Sequence, residues 1–241
     1  MEATRQEEPR QYALIPYRIP ALVFRVAVTI CSAVGLYYFL KLDRWNPNLG
    51  KISYYTGMSN LMVLLVYVFY SVMTAVGLAK NGLKGPTTPC PWLKGATTLV
   101  IAVTFLIYHF ILARNKFDWQ IYKVGNLLVH YIVPLMVVTD WLLFDAKEKR
   151  PWWHPLSWLA FPVAYFIFTV IRAQVGGWFP GRIFTRYPYP FINVDRLGLD
   201  VIWNILGTAA GVMALGYCLL GIEYSLYRLL KRHADQQSLK V

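Results

Sequence analysis

Long apolar runs alternate with short polar connections along this chain. Six segments are apolar over about the 20 residues that a helix needs to cross the hydrocarbon core of a membrane. They are residues 19–40, 58–79, 96–113, 124–144, 155–172 and 199–222. The pattern predicts an all-α fold, a polytopic membrane protein built as a six-transmembrane-helix bundle. An even number of helices places both termini on the same side.

The polar segments around these runs leave room for one compact domain. Residues 1–18 form a polar amino-terminal tail, residues 19–222 hold the six helices, and residues 223–241 form a basic carboxy-terminal tail. The connection over 173–198 is rich in Trp, Tyr, Pro and Arg, and long connections of this kind tend to be functional lids. The first apolar run exceeds the hydrophobic region of a signal peptide. We therefore expect it to remain in the mature chain.

Composition and charge agree with a lipid environment. Hydrophobic residues make up 57% of the chain and charged residues 15%, and the mean hydropathy is +0.41. A net charge of +12 would suggest nucleic acid for a soluble protein, but here Lys and Arg lie at helix ends, where they meet lipid headgroups. We expect membrane lipids and no nucleic acid as partners. A slight excess of Lys and Arg on the side of the termini favours cytoplasmic termini.

The cysteines and the small residues of the last helix carry no predicted chemistry. Cys31, Cys90 and Cys218 are widely spaced, so neither a disulfide framework nor a cysteine metal site is indicated. Gly207 and Gly211 form a GxxxG pair, which predicts close helix packing and leaves a homodimer open.

Polar side chains within the apolar runs converge on one end of the bundle, because odd-numbered connections share a membrane face. On helix 2, Thr56, Ser59 and Asn60 follow the spacing of one helical face. On helix 4, Asn126 and His130 lie one turn apart, and Pro134 is expected to kink the helix one turn later. An ionisable residue at membrane depth is costly and indicates a functional site. Interhelical hydrogen bonding is the structural alternative for each of these residues.

Three segments resemble a known family: Tyr55-Thr-Gly-Met-Ser-Asn-Leu61, Asn126-Leu-Leu-Val-His-Tyr-Ile-Val-Pro134 and Tyr187-Pro-Tyr-Pro-Phe191. They are similar to segments of the androgen-induced protein and androgen-dependent TFPI-regulating protein family, most closely its bacterial members, and the six-helix layout extends the resemblance over nearly the whole chain. The resemblance implies a multi-pass hydrolase of fatty acid esters of hydroxy fatty acids in a bacterial plasma membrane. It places the nucleophilic threonine on Thr56 and its histidine partner on His130. The chain departs from the family where Ile192-Asn193 follows the loop motif and an acidic residue arrives only at Asp195.

The chemistry of these residues is compatible with that activity. A threonine hydroxyl is a weak nucleophile until a base removes its proton, and an imidazole is a natural base near neutral pH. Candidate oxyanion donors or substrate-binding groups comprise Ser59, Asn60, Asn126, His109, Tyr187, Arg186 and the first N–H groups of helix 2. Arg25, Lys51, Arg182 and Arg186 are candidates to hold a fatty-acid carboxylate, with interfacial anchoring as the alternative. No cofactor or metal is expected.

Three other functions compete with this hypothesis. His109 and His130 could ligate one haem, as in a membrane b-type cytochrome. The same two histidines could bind zinc in a lipid hydrolase if Asp118 or Asp140 completed the site. A transporter or structural protein is the third alternative; for Asp140, an interfacial anchor or a helix-to-helix bond explains its position better than proton coupling.

Overall fold

The protein forms six helices that are long and apolar enough to span a membrane. The structure is a computed structural model that describes residues 12–113, 123–179 and 185–238. The helices are α1 (Arg18–Phe39), α2 (Tyr55–Asn81), α3 (Pro91–Leu112), α4 (Val124–Phe144), α5 (His154–Val175) and α6 (Val201–Ser238). The described residues contain no strand. The predicted all-α, six-span architecture is confirmed.

Proline and glycine fix several helix ends. Pro91 begins α3, where its missing N–H costs no intrahelical bond. Gly82 ends α2 with a φ of 75°, a conformation that suits glycine. In α4, the turn Leu128–Ile132 is π-helical and lies just before Pro134, which cannot donate a backbone hydrogen bond. The disturbance expected around Pro134 therefore takes the form of a widened turn that contains His130.

The last helix continues well beyond the apolar run that predicted it. We expected α6 to end near residue 222 and a tail to follow, but the helix extends to Ser238. Residues 223–238 contain neither proline nor glycine and are rich in Leu, Arg, Lys and Gln, which favour helix in water as well as in lipid. A helix that leaves the membrane does not have to end there.

The core lies around α3, which is the most buried of the six helices. Its residues Lys94–Thr104 are buried without interruption. α1 packs along α2, α3 contacts α2, α4 and α6, and α6 packs against the first turns of α5. Apolar side chains such as Leu65, Leu135 and Ile167 are exposed on the outer faces, as expected where lipid replaces water.

A fully buried ionic network joins four helices or their ends, away from the Thr56 and His130 region. Arg25 on α1 lies 3.3 Å from a carboxylate oxygen of Asp140 on α4 and 3.1 Å from one of Asp145. Lys94 on α3 pairs with Asp140 as well, and the Tyr67 hydroxyl donates to Asp140 at 3.0 Å. Asp140 therefore forms helix-to-helix bonds and does not anchor the protein at the interface.

The GxxxG pair of α6 makes no close packing within the described part of the chain. A Cβ added at Gly207 or Gly211 would meet no atom within 4 Å. The prediction that these glycines permit close packing inside the bundle is wrong, because this face of α6 points outward. A homodimer through this face stays a prediction.

Candidate active site

The first turn of α2 and the widened turn of α4 bring Thr56 and His130 together. The Thr56 Oγ1 atom lies 3.2 Å from Nε2 of His130, although the residues are 74 positions apart. Both side chains are buried, with 6% and 5% of their surface exposed. The sequence predicted a common depth for these residues, and the structure adds their direct contact.

The second ring nitrogen of His130 determines how this contact is polarised. Nδ1 lies 3.0 Å from the backbone carbonyl oxygen of Asn126. A carbonyl oxygen only accepts hydrogen bonds, so Nδ1 carries the proton and donates. Nε2 of the neutral ring then holds the lone pair and accepts from the Thr56 hydroxyl. This is the tautomer that a general base requires.

Aromatic rings hold the His130 imidazole in place. The Tyr108 ring stacks on it with centroids 3.7 Å apart, and the Phe39 ring meets its edge at 6.3 Å. The side-chain amide of Asn126 donates to the Tyr108 hydroxyl at 2.5 Å. Asn126 thus orients His130 directly through its carbonyl and indirectly through Tyr108. The role of Tyr108 could not be predicted from the sequence, because it depends on how α3 is rotated about its axis.

Ser59 and Asn60 lie beside Thr56 but use their polar atoms to join helices. The Ser59 hydroxyl hydrogen-bonds with Thr104 at 2.8 Å. The Asn60 amide donates to the carbonyl oxygens of Thr56 at 2.9 Å and Val129 at 3.0 Å. Both amide hydrogens of Asn60 are therefore engaged, so in this arrangement Asn60 has no hydrogen left for an oxyanion. Its Oδ1 atom is buried without a partner in the described residues.

The loop before α6 brings Tyr189, which was not among the predicted site residues, to the region of Thr56. Tyr189 lines the same cavity as Thr56 and packs against Tyr54. Burial raises the pKa of Tyr189 to about 12, and the nearby Thr56 side chain and the backbone of Tyr55 and Thr56 partly offset this rise. Its oxygen therefore lies where the first N–H groups of α2 have no intrahelical partner. Tyr189 belongs to the Tyr-Pro-Tyr-Pro motif, so the motif was detectable but the residue within it was not.

The other loop candidates have different partners. Arg186 forms a two-pronged ion pair with Asp195, with contacts of 2.9 and 2.5 Å, and this partner raises the pKa of the exposed guanidinium. Tyr187 is buried, and its hydroxyl has no partner among the described residues. Arg182 lies outside the described residues. Arg186 and Asp195 therefore fasten the loop, and the structure does not bring Arg186 or Tyr187 to Thr56.

Two cavities lie near the Thr56 and His130 pair. The apolar cavity has a volume of about 260 Å³ and contains Thr56 in its wall. α3, α5, α6 and the loop supply most of its lining, including Val103, Ile107, Phe166, Phe191, Ile205 and Val212. The second cavity, of about 610 Å³, is lined by Asn126 and by basic residues from the end of α1 to the start of α4. Tyr108 lines both cavities.

His109 lies apart from the Thr56 and His130 pair. It is exposed, stacks on Phe105, and has Nδ1 3.4 Å from the Tyr131 hydroxyl. Both nitrogens of His130 are engaged by Thr56 and Asn126, so this arrangement offers no shared haem ligation. Over residues 12–113, 123–179 and 185–238, no three His, Cys, Asp or Glu side chains form a group that could hold a metal. Asp118, named as a possible zinc ligand, lies outside these ranges.

Comparison with known proteins adds no relative to this geometry. No family model, no curated protein and no solved structure matches the chain.

Proposed function

We propose that this multi-pass membrane protein is an intramembrane lipid-ester hydrolase with Thr56 as nucleophile and His130 as general base. The observation that carries the proposal is the chain of contacts from Thr56 Oγ1 to His130 Nε2, at 3.2 Å, and from His130 Nδ1 to the Asn126 carbonyl, at 3.0 Å. A hydroxyl, a base and an orienting group in this order form the arrangement that activates a nucleophile.

The reaction proceeds in two steps. Thr56 Oγ1 attacks the ester carbonyl carbon while His130 Nε2 takes the hydroxyl proton, and the tetrahedral intermediate collapses as His130 returns that proton to the leaving alcohol oxygen. Water then attacks the acyl-threonine carbonyl while His130 Nε2 takes one of its protons, and collapse of the second tetrahedral intermediate breaks the acyl–oxygen bond, returns that proton to Thr56 Oγ1 and releases the carboxylic acid. The N–H groups in the first turn of α2 are the donors nearest to the developing oxyanion.

The apolar cavity suits an acyl chain. An acyl chain would reach it from lipid between α5 and α6, because both helices supply lining residues such as Phe166 and Ile205. An acyl chain that enters sideways from the membrane never has to cross water, and its apolar surface remains buried throughout. The more polar second cavity supplies a route for the hydrolytic water.

The resemblance of three motifs to the androgen-induced protein family supports the choice of substrate. On that basis the substrates are fatty acid esters of hydroxy fatty acids or related acyl lipids, and the site belongs to a bacterial plasma membrane with both termini in the cytoplasm. The membrane lipids around the bundle are then both solvent and source of substrate.

Purified protein in neutral lipid nanodiscs tests this function. Wild type should hydrolyse hydroxy-fatty-acid esters and should react with a fluorophosphonate probe, and mass spectrometry should place the label on Thr56. Thr56→Ala and His130→Ala should each lower kcat at least about 10³-fold, the scale seen when a member of a catalytic triad is removed. Thr56→Ser keeps a hydroxyl and should retain measurable activity.

Two variants control for the loss of a buried threonine and of a histidine. Thr98→Ala removes a buried hydroxyl that bonds only within α3, at 2.9 Å, and His154→Ala removes a histidine from the start of α5. Both should leave kcat within about threefold of wild type. Hydrolysis or labelling that survives Thr56→Ala and His130→Ala would remove these residues from the mechanism.

A further inference from the structure

The second cavity beside the catalytic pair is strongly basic. Besides Asn126 and Tyr108, its described lining includes Lys41, Arg44, Lys51 and Lys123, and Asp43 is the one acidic residue in that described lining. Asp43 lies 3.8 Å from Arg44 at a solvent-exposed position, where such a pair neutralises little. The four basic residues and Asp43 in the described lining leave an excess of three positive charges around about 610 Å³ of space.

Lys51 is held in place at the wall of this cavity. Its ammonium donates to the Phe39 carbonyl at 3.0 Å and lies 5.0 Å from the centre of the Phe39 ring. Partial burial lowers the pKa of Lys51, and repulsion from Lys41 and Lys123 lowers it further. A bound anion would relieve that repulsion, whereas bulk water does so only in part.

Lys41 occupies a conformation that favours glycine. Its φ is 57°, and among the described residues it is the only residue other than glycine with a positive φ. It follows the end of α1, where the Leu42 N–H reaches back to the Tyr37 carbonyl at 3.0 Å. Glycine would take this position without the cost of about 1 kcal/mol that a side chain imposes. A lysine here keeps a cation at the rim of the cavity despite that cost.

The N–H groups at the start of α4 add positive partial charge to that of the basic side chains. Val124, Gly125 and Asn126 line the cavity, and the Leu127 N–H is the first in this region to bond within the helix, to the Lys123 carbonyl at 2.9 Å. Among the described residues the preceding N–H groups have no intrahelical acceptor, so their positive partial charge reinforces the attraction of an anion to the basic side chains.

We propose that this basic cavity binds an anionic group, a carboxylate or a phosphate, on the alcohol side of the lipid ester. The assignment rests on the proposed function. Tyr108 separates the two cavities and stacks on His130, so an ester at Thr56 would have its acyl chain in the apolar cavity and its alcohol portion directed toward the basic one. The substrate class is then an ester lipid with a second, negatively charged end.

A binding experiment tests the cavity without turnover. In the Thr56→Ala background, radiolabelled 12-hydroxystearate and its methyl ester are bound to full-length protein in phosphatidylcholine nanodiscs. The acid should bind about tenfold more tightly than the neutral methyl ester, the effect of one charge-assisted contact, and high salt should reduce the difference. Equal binding of acid and methyl ester overturns the proposal.

Charge variants locate the site. Lys51→Gln combined with Lys123→Gln should abolish the preference for the acid, while Lys80→Gln combined with Lys231→Gln, which removes the same charge at exposed positions outside the cavity, should preserve it. Lys41→Gly relieves the backbone cost, so it should fold at least as well as wild type and still weaken acid binding about threefold. If the control pair loses the preference as the cavity pair does, long-range charge explains the effect and the cavity is overturned.

Two further experiments are needed. The first distinguishes a membrane headgroup from the substrate as the source of the anion, and the second distinguishes failure of the anion site from failure of the proposed function. If phosphatidylglycerol in the nanodisc displaces the acid, a membrane headgroup fills the anion site; if it does not, the anion belongs to the substrate. A protein that binds 12-hydroxystearate more tightly than its methyl ester but hydrolyses no acylated hydroxy fatty acid refutes the proposed function and retains the anion site. A protein that hydrolyses an acylated 12-hydroxystearate and the methyl ester of that lipid at the acyl ester bond with equal kcat/KM, in all charge variants, supports the proposed function and overturns the anion site.

Discussion

Asn60 on α2 and Val129 on α4 are joined by a hydrogen bond of 3.0 Å from the Asn60 side-chain amide to the Val129 carbonyl. Val129 directly precedes His130, and the same amide holds the Thr56 carbonyl at 2.9 Å. One side chain therefore links the backbones that carry the nucleophile and the base. The distance between Thr56 and His130 depends on this link.

Asn60→Ala should impair both stability and turnover. Two buried carbonyl groups would lose their donor, so the free energy of unfolding should fall by about 1–3 kcal/mol. kcat should fall by at least about tenfold, because small displacements of reacting groups are costly, and this should be visible below the melting temperature of the variant. Thermal unfolding and ester hydrolysis measure the two effects.

Tyr70→Phe is the matched control for Asn60→Ala. It removes another buried donor of α2, which bonds to the Cys90 carbonyl at 2.8 Å, without touching the catalytic pair. We expect a loss of stability of about 1 kcal/mol and an unchanged kcat. A proportional loss of kcat in both variants would show that stability alone governs activity.

The Tyr189 hydroxyl should matter more than that of Tyr187, two positions earlier. Tyr189→Phe removes a hydroxyl from the cavity wall that also contains Thr56, close to where negative charge develops in the proposed transition state. We expect kcat to fall about 10- to 100-fold with little change in KM. Tyr187→Phe removes a hydroxyl without a partner in the described residues and should leave kcat unchanged. Equal effects of the two substitutions would count against a role for Tyr189.

The sequence predicted the helices and the shared depth of Thr56 and His130, because both follow from the length of apolar runs and the alternation of connections. It could not predict which side chains meet. The contact of Tyr108 with His130 depends on the rotation of α3 about its axis, and the position of Tyr189 depends on the path of a loop without periodicity. The pairing of Arg25 with Asp140, 115 positions away, likewise required the packed bundle.

The buried network around Asp140 should contribute to folding and not to chemistry. Asp140 lies about 15 Å from His130 along the axis of α4. Asp140→Asn leaves Arg25 and Lys94 with one carboxylate fewer, so the free energy of unfolding should fall by about 3–5 kcal/mol. Adding Lys94→Met to Asp140→Asn removes the unpaired cation and should restore part of the loss. Thermal unfolding in detergent measures both.

A pair near the surface provides the comparison for this network. Glu148 contacts Arg150 at 3.2 Å, but its side chain is 56% exposed, so Glu148→Gln should change stability by less than about 1 kcal/mol. kcat of the folded fraction should be the same in Glu148→Gln and in the Asp140→Asn, Lys94→Met double variant. A selective loss of kcat in the double variant would mean that the network takes part in catalysis.

The preference for an anionic substrate should weaken at alkaline pH earlier than an ordinary lysine would allow. Burial and neighbouring cations lower the pKa of Lys51, so its charge is complete below that lowered pKa and is lost as the pH rises through it, before about 10.4. KM for an acidic ester should therefore rise over this range, while KM for its methyl ester should not. Lys51→Arg keeps the charge at all accessible pH values, and its KM should be insensitive to pH. A wild-type KM that is equally insensitive would exclude Lys51 as the titrating group.

Gly57 should be required because it lets the chain before α2 approach the turn that carries Thr56. A Cβ at this position would lie 2.6 Å from the Lys51 carbonyl oxygen and 2.7 Å from Cα of Ile52, both backbone atoms that cannot rotate away. Gly57→Ala should therefore displace the first turn of α2, lower stability by about 1–3 kcal/mol and lower kcat about tenfold or more.

Gly207→Ala is the corresponding change at a helical glycine with open space around it. It should preserve kcat and stabilise α6 by up to about 1 kcal/mol, because alanine favours helix over glycine. Size-exclusion chromatography of this variant also tests the predicted homodimer: if two copies pack through the GxxxG face, the added methyl groups should separate them.

Full activity in Gly57→Ala would show that the approach of the Leu49–Ser53 turn to α2 does not hold Thr56 in place.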